Sequence, residues 1–187
     1  MGNRKDRVCP VERSGSLDSR IRRWLQNPKK ILSPYIEEGM TVLEVGPGPG
    51  FFTIDLAKMV GENGRVVAAD LQEGMLQILK EKIKGSEIEH RIILHKCEED
   101  KIGVSGKFDF VFLFYMVHEV PNKEAFFTEL ESILKDNGRI YMVEPPFHVS
   151  KKDFEETIKK ANVSGLKAVE RPKLFPNKAV ILKKSSQ

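Results

Sequence analysis

The sequence contains few cysteines and no long apolar segment. Its two cysteines, Cys9 and Cys97, are too few to build a disulfide framework or, by themselves, a tetrahedral zinc site. No apolar run approaches the roughly 20 residues that a membrane-spanning helix requires. The first ten residues, MGNRKDRVCP, lack the apolar centre of a secretory signal. We therefore expect a cytoplasmic protein without a metal site and without a membrane partner.

Neither the length nor the charge of the chain is extreme. With 187 residues it has the size of one domain with a substantial core, rather than of two domains of similar size. The net charge is +4, and lysines and arginines gather at 20–30 and 151–184, where acidic residues are interleaved with them. This pattern predicts a solvated surface and does not favour nucleic acid as a partner. An anionic substrate or nucleic acid stays open as the alternative.

Apolar segments of two kinds alternate along the chain. Short, mostly apolar runs that are typical of strands occupy residues 41–45, 65–70, 91–96, 108–115, 139–144, 166–171 and 178–183. We expect a helical crossover after each of the first five, and Asn137-Gly138 should end the helix that precedes the fifth strand. This alternation predicts an α/β fold, with a Rossmann-like, mostly parallel seven-stranded sheet and helices on both faces. Too few residues separate the last two strands for a helix, so they should form a C-terminal antiparallel hairpin.

The beginning of the chain does not share this alternation. Residues 17–26, LDSRIRRWLQ, predict a short helix that the following Asn-Pro pair ends. We interpret residues 1–27 as an N-terminal arm or short helix that can cap a substrate; the alternative is a surface helix with one buried tryptophan. A second helical segment is expected at 29–38, and the α/β domain then spans 28–187.

A glycine-rich turn follows the first predicted strand. The segment VLEVGPGPGFF places Gly46, Gly48 and Gly50 between that strand and a helix. Because glycine has no side chain, the backbone there can approach a ligand closely at the helix N-terminus. Asp70 ends the second strand, where a carboxylate can accept hydrogen bonds from both hydroxyls of a ribose. These features predict an adenosine-containing cofactor, and a tight turn without a ligand is the alternative.

The spacing of the glycines and their neighbours distinguish between cofactors. The pattern is G-x-G-x-G rather than the G-x-G-x-x-G of dinucleotide-binding proteins, and Pro47 and Pro49 stiffen it. Glu44 lies two residues before the first glycine, where its charge repels a pyrophosphate and attracts an ammonium group. This favours S-adenosylmethionine over NAD. The motifs Y-x-x-x-K, G-x-x-x-x-G-K-[ST], G-x-S-x-G and H-E-x-x-H are all missing, which argues against other common nucleotide, hydrolase and metalloprotease sites.

Four segments in the same order resemble the class I S-adenosylmethionine-dependent methyltransferases. They are VLEVGPGPG, VVAAD, FDFVFLFYMVHEVPN and LKDNGRIYMVEP, and the resemblance covers roughly residues 28–183. Within that family the sequence is most similar to the small-molecule group that includes ubiquinone and menaquinone methyltransferases. The resemblance implies the strand order 3-2-1-4-5-7-6 with an antiparallel strand 7. It also implies S-adenosylmethionine as cofactor and methyl transfer to a small molecule by in-line displacement.

The resemblance further implies a set of cofactor contacts. Glu44 matches the acid that helps to hold the ammonium group, and Asp70 matches the ribose-binding acid. Cys97 stands where the family often has an aspartate for the adenine amino group, so Glu98, Glu99 or the backbone are alternative acceptors. Tyr115 can face the sulfonium. The full set is Glu44, Gly46, Pro47, Gly48, Gly50, Asp70, Leu71, Met75, Cys97, Glu98, Phe114 and Tyr115, where Met75 is alternatively a core residue of its helix.

His118 is the candidate catalytic residue, because it lies just past the fourth predicted strand. In family terms this places it over the cofactor. One interpretation is a general base or a substrate contact; the other is a histidine that positions or packs its neighbours. The segment EPPF at 144–147 follows the fifth strand, and we interpret it as the start of a loop.

Three alternative functions stay open at this point. The first is an NAD-dependent oxidoreductase, and the second is a module that binds S-adenosylmethionine without catalysis. The third is an RNA methyltransferase, which the pI of about 9.0 favours. The sequence shows no segment recognisable as an RNA-binding appendage, so the small-molecule methyltransferase is the preferred prediction.

Overall fold

A computed structural model describes residues 26–185. The predicted helix at 17–26 and the arm at 1–27 lie outside the described residues, apart from Gln26 and Asn27. Across the described range, none of the helices is both long and apolar enough to cross a membrane. The same range holds no group of three or more His, Cys, Asp or Glu side chains arranged to bind a metal ion. The cytoplasmic location stays a prediction.

The fold is built on a seven-stranded sheet with the strand order β3-β2-β1-β4-β5-β7-β6. The strands are β1 Thr41–Val45, β2 Arg65–Asp70, β3 Ile92–Lys96, β4 Phe108–Phe114, β5 Leu134–Glu144, β6 Leu166–Glu170 and β7 Lys178–Lys184. Strands β1 to β5 pair in parallel, whereas β7 is antiparallel to both of its neighbours. The predicted order and the C-terminal hairpin are confirmed.

Within residues 26–185, five α-helices cover the two faces of this sheet. They are α1 Pro28–Leu32, α2 Thr53–Met59, α3 Glu73–Ile83, α4 Lys123–Ile133 and α5 Lys151–Val163. Short 3₁₀ turns lie at Glu89–Arg91 and Val117–Glu119. The side chains of Asn27, Asn122 and Ser150 cap α1, α4 and α5 by accepting a hydrogen bond from a backbone N–H of the first turn.

Three expectations about the helices were wrong. Helix α1 ends at Leu32 instead of reaching residue 38, because Pro34 has no N–H with which to continue the helix. Helix α4 ends at Ile133 rather than at the Asn-Gly pair of 137–138, since Leu134 is already extended and pairs with Phe108 of β4. No helix follows β3; the chain crosses to β4 in a loop at 97–107.

Strand β4 lies at the centre of the core and contributes to both faces of the sheet. Phe110 and Phe112 pack on one face, in an aromatic cluster with Phe52 and Tyr141. Their neighbours in the strand, including Val111, pack on the other face against α4 and α5. This alternation is the period-2 geometry of a strand that is buried on both sides. The parallel pairing of β1 with β2 and with β4 brings the carboxyl ends of these strands side by side at one edge of the sheet.

Candidate active site

A cavity of about 290 Å³ opens at the carboxyl edge of the parallel strands. Its walls come from the segments that follow β1, β2, β3 and β4, which is where open α/β sheets bind ligands. Every predicted cofactor contact except Gly50 lines this cavity. Their contacts with a bound cofactor stay a prediction. Gly50 has another role, because a Cβ there would lie 2.4 Å from Leu79 Cδ1 of α3. It lets the turn pack closely against that helix.

The carboxylate of Asp70 ties the glycine turn to the end of β2. The backbone N–H of Gly48 donates to Oδ2 at 3.2 Å, and that of Gln72 donates to Oδ1 at 2.8 Å. Gly48 has a φ of +54°, a conformation that glycine adopts without strain. Asp70 is only 6% exposed, and burial raises the pKa of its carboxyl above the ordinary value. The carboxylate thus lies in the cavity wall in a fixed orientation.

Glu44 is a second buried acid in the wall. It is 3% exposed, and it accepts a hydrogen bond of 2.6 Å from the hydroxyl of Thr53 at the start of α2. This contact fixes the carboxylate beside the glycine turn. Thr53 was missed in the sequence, where it reads as an ordinary residue of the helix after the turn.

The cavity is strongly acidic for a protein of net positive charge. A single basic residue, Lys101, is found among the described residues that line it. The carboxylates are those of Glu44, Asp70, Glu98, Glu99, Asp100 and Glu119. Such a wall attracts a ligand that carries positive charge and repels phosphate or pyrophosphate. The arrangement therefore fits S-adenosylmethionine, with its sulfonium and ammonium groups, and opposes NAD.

Tyr115 connects the cavity to two distant parts of the chain. Its hydroxyl accepts a hydrogen bond from Gln26 Nε2 at 2.8 Å and donates to Asn177 Oδ1 in the loop between β6 and β7. Its ring stacks on Phe114 with centroids 4.2 Å apart. The backbone is held at a φ of +61°, which is uncommon for a residue other than glycine and concentrates at functional sites. A contact of this ring with a sulfonium stays a prediction.

His118 lies outside the first cavity and lines a neighbouring one of about 370 Å³. Its Nδ1 donates to Glu144 Oε2 at 2.5 Å, and Glu144 Oε1 accepts from the backbone N–H of Val117 at 2.9 Å. The hydrogen bond to Glu144 raises the pKa of His118. Strand β5 ends at Glu144 and turns follow it, as expected for the start of a loop. The base role of His118 stays a prediction.

Glu119 is a cavity residue that the sequence did not single out. It follows His118 directly, and its side chain is 25% exposed. Burial raises the pKa of Glu119 to about 7. The signal that could have found it is its place just beyond β4, because a carboxylate at the carboxyl edge of a parallel strand points toward the ligand side of the sheet.

We expect the thiol of Cys97 to react slowly. It is 7% exposed, and burial raises its pKa to about 11. Since the thiolate is the reactive form, alkylation by iodoacetamide at pH 8 should be roughly 100-fold slower than for a thiol of ordinary pKa. Mass spectrometry of the cysteine peptides measures this rate separately from that of Cys9. A rate equal to that of a small free thiol would contradict the burial of Cys97.

Comparison with known families decides which class this site belongs to. The sequence model of a family described as "Methyltransferase domain" matches residues 36–178, well over half of the chain. The chain belongs to this methyltransferase family. The predicted class, the fold and the cofactor S-adenosylmethionine are thereby confirmed, and the alternative of an NAD-dependent oxidoreductase is set aside.

Individual relatives agree with this assignment. Demethylmenaquinone methyltransferase of Bacillus cereus (strain ATCC 10987) is 27% identical over 125 residues, which are 67% of this chain and 52% of that protein. The chain thus spans about half the length of the curated relatives it matches. The crystal structure of an S-adenosylmethionine-dependent methyltransferase from Aquifex aeolicus is similar with a TM-score of 0.84 and 28% identity, over 94% of this chain and 98% of that one.

The same fold also occurs in a protein that acts on RNA precursors. The pre-rRNA processing protein fibrillarin of Methanococcus jannaschii aligns with a TM-score of 0.66 and 15% identity, over 82% of this chain and 70% of that one. At this identity the likeness shows the fold alone. The fold therefore does not distinguish a small-molecule acceptor from an RNA acceptor. The residues of the site have to identify the acceptor.

Proposed function

We propose that this protein transfers the methyl group of S-adenosylmethionine to a small-molecule acceptor. The observation that carries the proposal is the acidic cavity at the carboxyl edge of the sheet, with Asp70 fixed against the glycine turn. The similarity to demethylmenaquinone methyltransferase supports an acceptor of low molecular mass. Exposed acids in the wall, namely Glu98, Glu99 and Asp100, oppose the approach of an RNA backbone.

Different residues of the cavity hold different parts of the cofactor. Asp70 accepts hydrogen bonds from the ribose hydroxyls, and Glu44 faces the ammonium group. The apolar residues Leu71 and Met75 enclose the adenine, and Tyr115 lies beside the methionine chain. When bound, the cofactor supplies a methyl group that its sulfonium already activates. The protein has to align the acceptor with this methyl carbon, and positioning of this kind contributes roughly 7–11 kcal/mol to barrier reduction.

The N-terminal segment takes part in closing the site under this proposal. Gln26 reaches the hydroxyl of Tyr115, so the chain enters the described domain next to the cavity. We assign residues 1–27 to a substrate cap and residues 28–187 to the methyltransferase domain. A cap of this kind excludes water and holds the acceptor against the methyl group.

A labelling experiment separates the acceptor classes. The purified protein is incubated with methyl-labelled S-adenosylmethionine and, in parallel, with deproteinised small molecules or with total RNA from one cell extract. We expect the label in the small-molecule fraction and the formation of S-adenosylhomocysteine. Label confined to RNA would establish the alternative acceptor. Cofactor binding without transfer to either fraction would indicate a module without catalytic activity.

A further inference from the structure

Glu119 lies at the boundary between the two cavities. Its carboxylate lines the acidic cavity, whereas the adjacent His118 lines the second one, and Pro121 belongs to the walls of both. Glu119 Oε1 is 4.0 Å from His118 Nε2. Among residues 26–185, the Glu119 carboxylate makes no other ion pair. The pair therefore bridges a ligand cavity and a separate, more polar opening to solvent.

The orientation of the His118 ring is fixed by Glu144. That carboxyl is 1% exposed, and its two oxygens accept hydrogen bonds from His118 Nδ1 and from the backbone N–H of Val117. Because Nδ1 is engaged, Nε2 is the ring nitrogen left to exchange a proton with Glu119. A carboxylate that orients an imidazole in this way also stabilises its protonated form.

We propose that Glu119 accepts the proton that the methyl acceptor loses, and that His118, positioned by Glu144, passes it to solvent in the second cavity. This rests on the proposed function. The acceptor atom forms its bond to the methyl carbon as the carbon–sulfur bond breaks, and that electron pair stays on sulfur. The proton leaves the acceptor for Glu119. It passes to Nε2 when the imidazole of His118 is neutral and the two side chains close from 4.0 Å to hydrogen-bonding distance. Water in the second cavity then takes it up. The acceptor class is thus an O–H, N–H or acidic C–H group, because a tertiary amine or thioether has no proton to give.

The charges around Glu119 suit this role. Burial and the negative charges of Glu144 and Asp70 raise its pKa to about 7, while the positive charge of His118 lowers it. Lys123 faces His118 from the start of α4. A base of this pKa is ionised in an appreciable fraction near neutrality and is still basic enough to take a proton. Activity that depends on it rises as the pH increases through about 7.

The first test measures the titration of Glu119 without any acceptor. The side-chain carboxyls of glutamate are labelled with carbon-13, and the resonance of Glu119 is identified by its loss in Glu119→Gln. We expect a midpoint near pH 7 in the wild-type protein. In His118→Asn the midpoint should move to higher pH, because the positive charge that His118 carries in its protonated form no longer lowers the pKa of Glu119. A midpoint near the ordinary value of 4.5, or no movement in His118→Asn, would overturn the proposal.

The second test measures transfer to whichever fraction the wild-type protein labels. Glu119→Gln should lower the initial rate about 10²- to 10⁴-fold and remove the rise of the rate with pH. Its affinity for S-adenosylmethionine, measured by calorimetry, shows that the variant is folded. His118→Asn should shift the rise to higher pH. Glu37→Gln, which removes an exposed carboxylate outside both cavities, is the control and should leave the rate unchanged.

The outcomes of this second test are distinguishable. If Glu119→Gln transfers methyl groups at the wild-type rate, Glu119 is not the proton acceptor, although the proposed function stands. If the wild-type protein labels RNA and no small molecule, the proposed acceptor class is wrong, and the same variants compared on RNA still decide the role of Glu119.

Discussion

The Asp70→Ala variant is expected to bind S-adenosylmethionine about 100-fold more weakly than the wild-type protein. Under the proposed function the carboxylate accepts hydrogen bonds from the ribose hydroxyls, and it already accepts them from the N–H groups of Gly48 and Gln72 at 3.2 and 2.8 Å. A hydrogen bond to a charged group contributes about 1.5–3 kcal/mol, and each 1.4 kcal/mol is a factor of ten in affinity. Isothermal titration calorimetry measures the change.

Two further variants show whether this loss is specific to the site. Asp109 lies at the opposite edge of the sheet, where it accepts from the N–H of Thr41 and pairs with Lys135. Asp109→Asn should lower stability and leave cofactor affinity unchanged. Asp70→Asn should bind weakly and yet fold stably, since it removes a charge whose burial is unfavourable. Equal affinity in Asp70→Ala and the wild-type protein would remove Asp70 from the binding site.

Because the pKa of Asp70 is raised, the direction in which its effect on stability changes with pH can be predicted. The folded protein takes up a proton on this carboxyl at a higher pH than the unfolded chain does. As the pH falls toward 3.8, the ordinary pKa of an aspartate, the buried carboxylate of Asp70 becomes protonated and destabilises the fold less. The free energy of unfolding gains from Asp70 over this pH range. Asp70→Asn abolishes this dependence, which thermal unfolding at several pH values detects.

Replacing Gly48 by valine should abolish measurable cofactor binding, a loss of more than about 100-fold. Gly48 lines the cavity and has a φ of +54°, which a β-branched residue adopts only with strain of about 1–3 kcal/mol. The new side chain also occupies the space in which the backbone approaches the ligand. Calorimetry with S-adenosylmethionine measures the loss, and thermal unfolding measures the accompanying strain.

Gly85→Val is the matched control for this prediction. Gly85 has a comparable φ of +71°, nothing lies within 4 Å of a Cβ built there, and the residue is not part of the cavity wall. We expect a similar loss of stability and an unchanged affinity for the cofactor. If Gly48→Val binds S-adenosylmethionine as tightly as Gly85→Val does, the glycine turn is a structural turn and not part of the binding site.

The fold could be predicted from the sequence because its strands are continuous apolar runs. Strand β4 shows this best: it is buried on both faces, so every residue from 110 to 114 is apolar and the run is visible without any periodicity. The hairpin followed from the short separation of the last two strands. The loop after β3 was missed, because the strand–helix alternation gives no warning of a crossover without a helix.

The candidate site could be predicted only where one residue and its neighbours in sequence carry the signal. The glycines and Asp70 follow strand ends, so their convergence at one edge was predictable. Glu119 was not, since its environment depends on burial beside Asp70 and on a histidine that Glu144 holds from another strand. Gly50 belongs to the glycine motif, and the sequence therefore predicts a cofactor contact for it. In the structure its φ of +87° and its close approach to Leu79 serve packing, which the motif alone does not reveal.

A crystal structure of the protein with S-adenosylhomocysteine tests the central claim most directly. We predict that the nucleoside occupies the acidic cavity, with both ribose hydroxyls within hydrogen-bonding distance of the Asp70 carboxylate and the sulfur beside Tyr115. The account would be contradicted by a nucleoside bound elsewhere, with Asp70 contacting only the N–H groups of Gly48 and Gln72 as it does here.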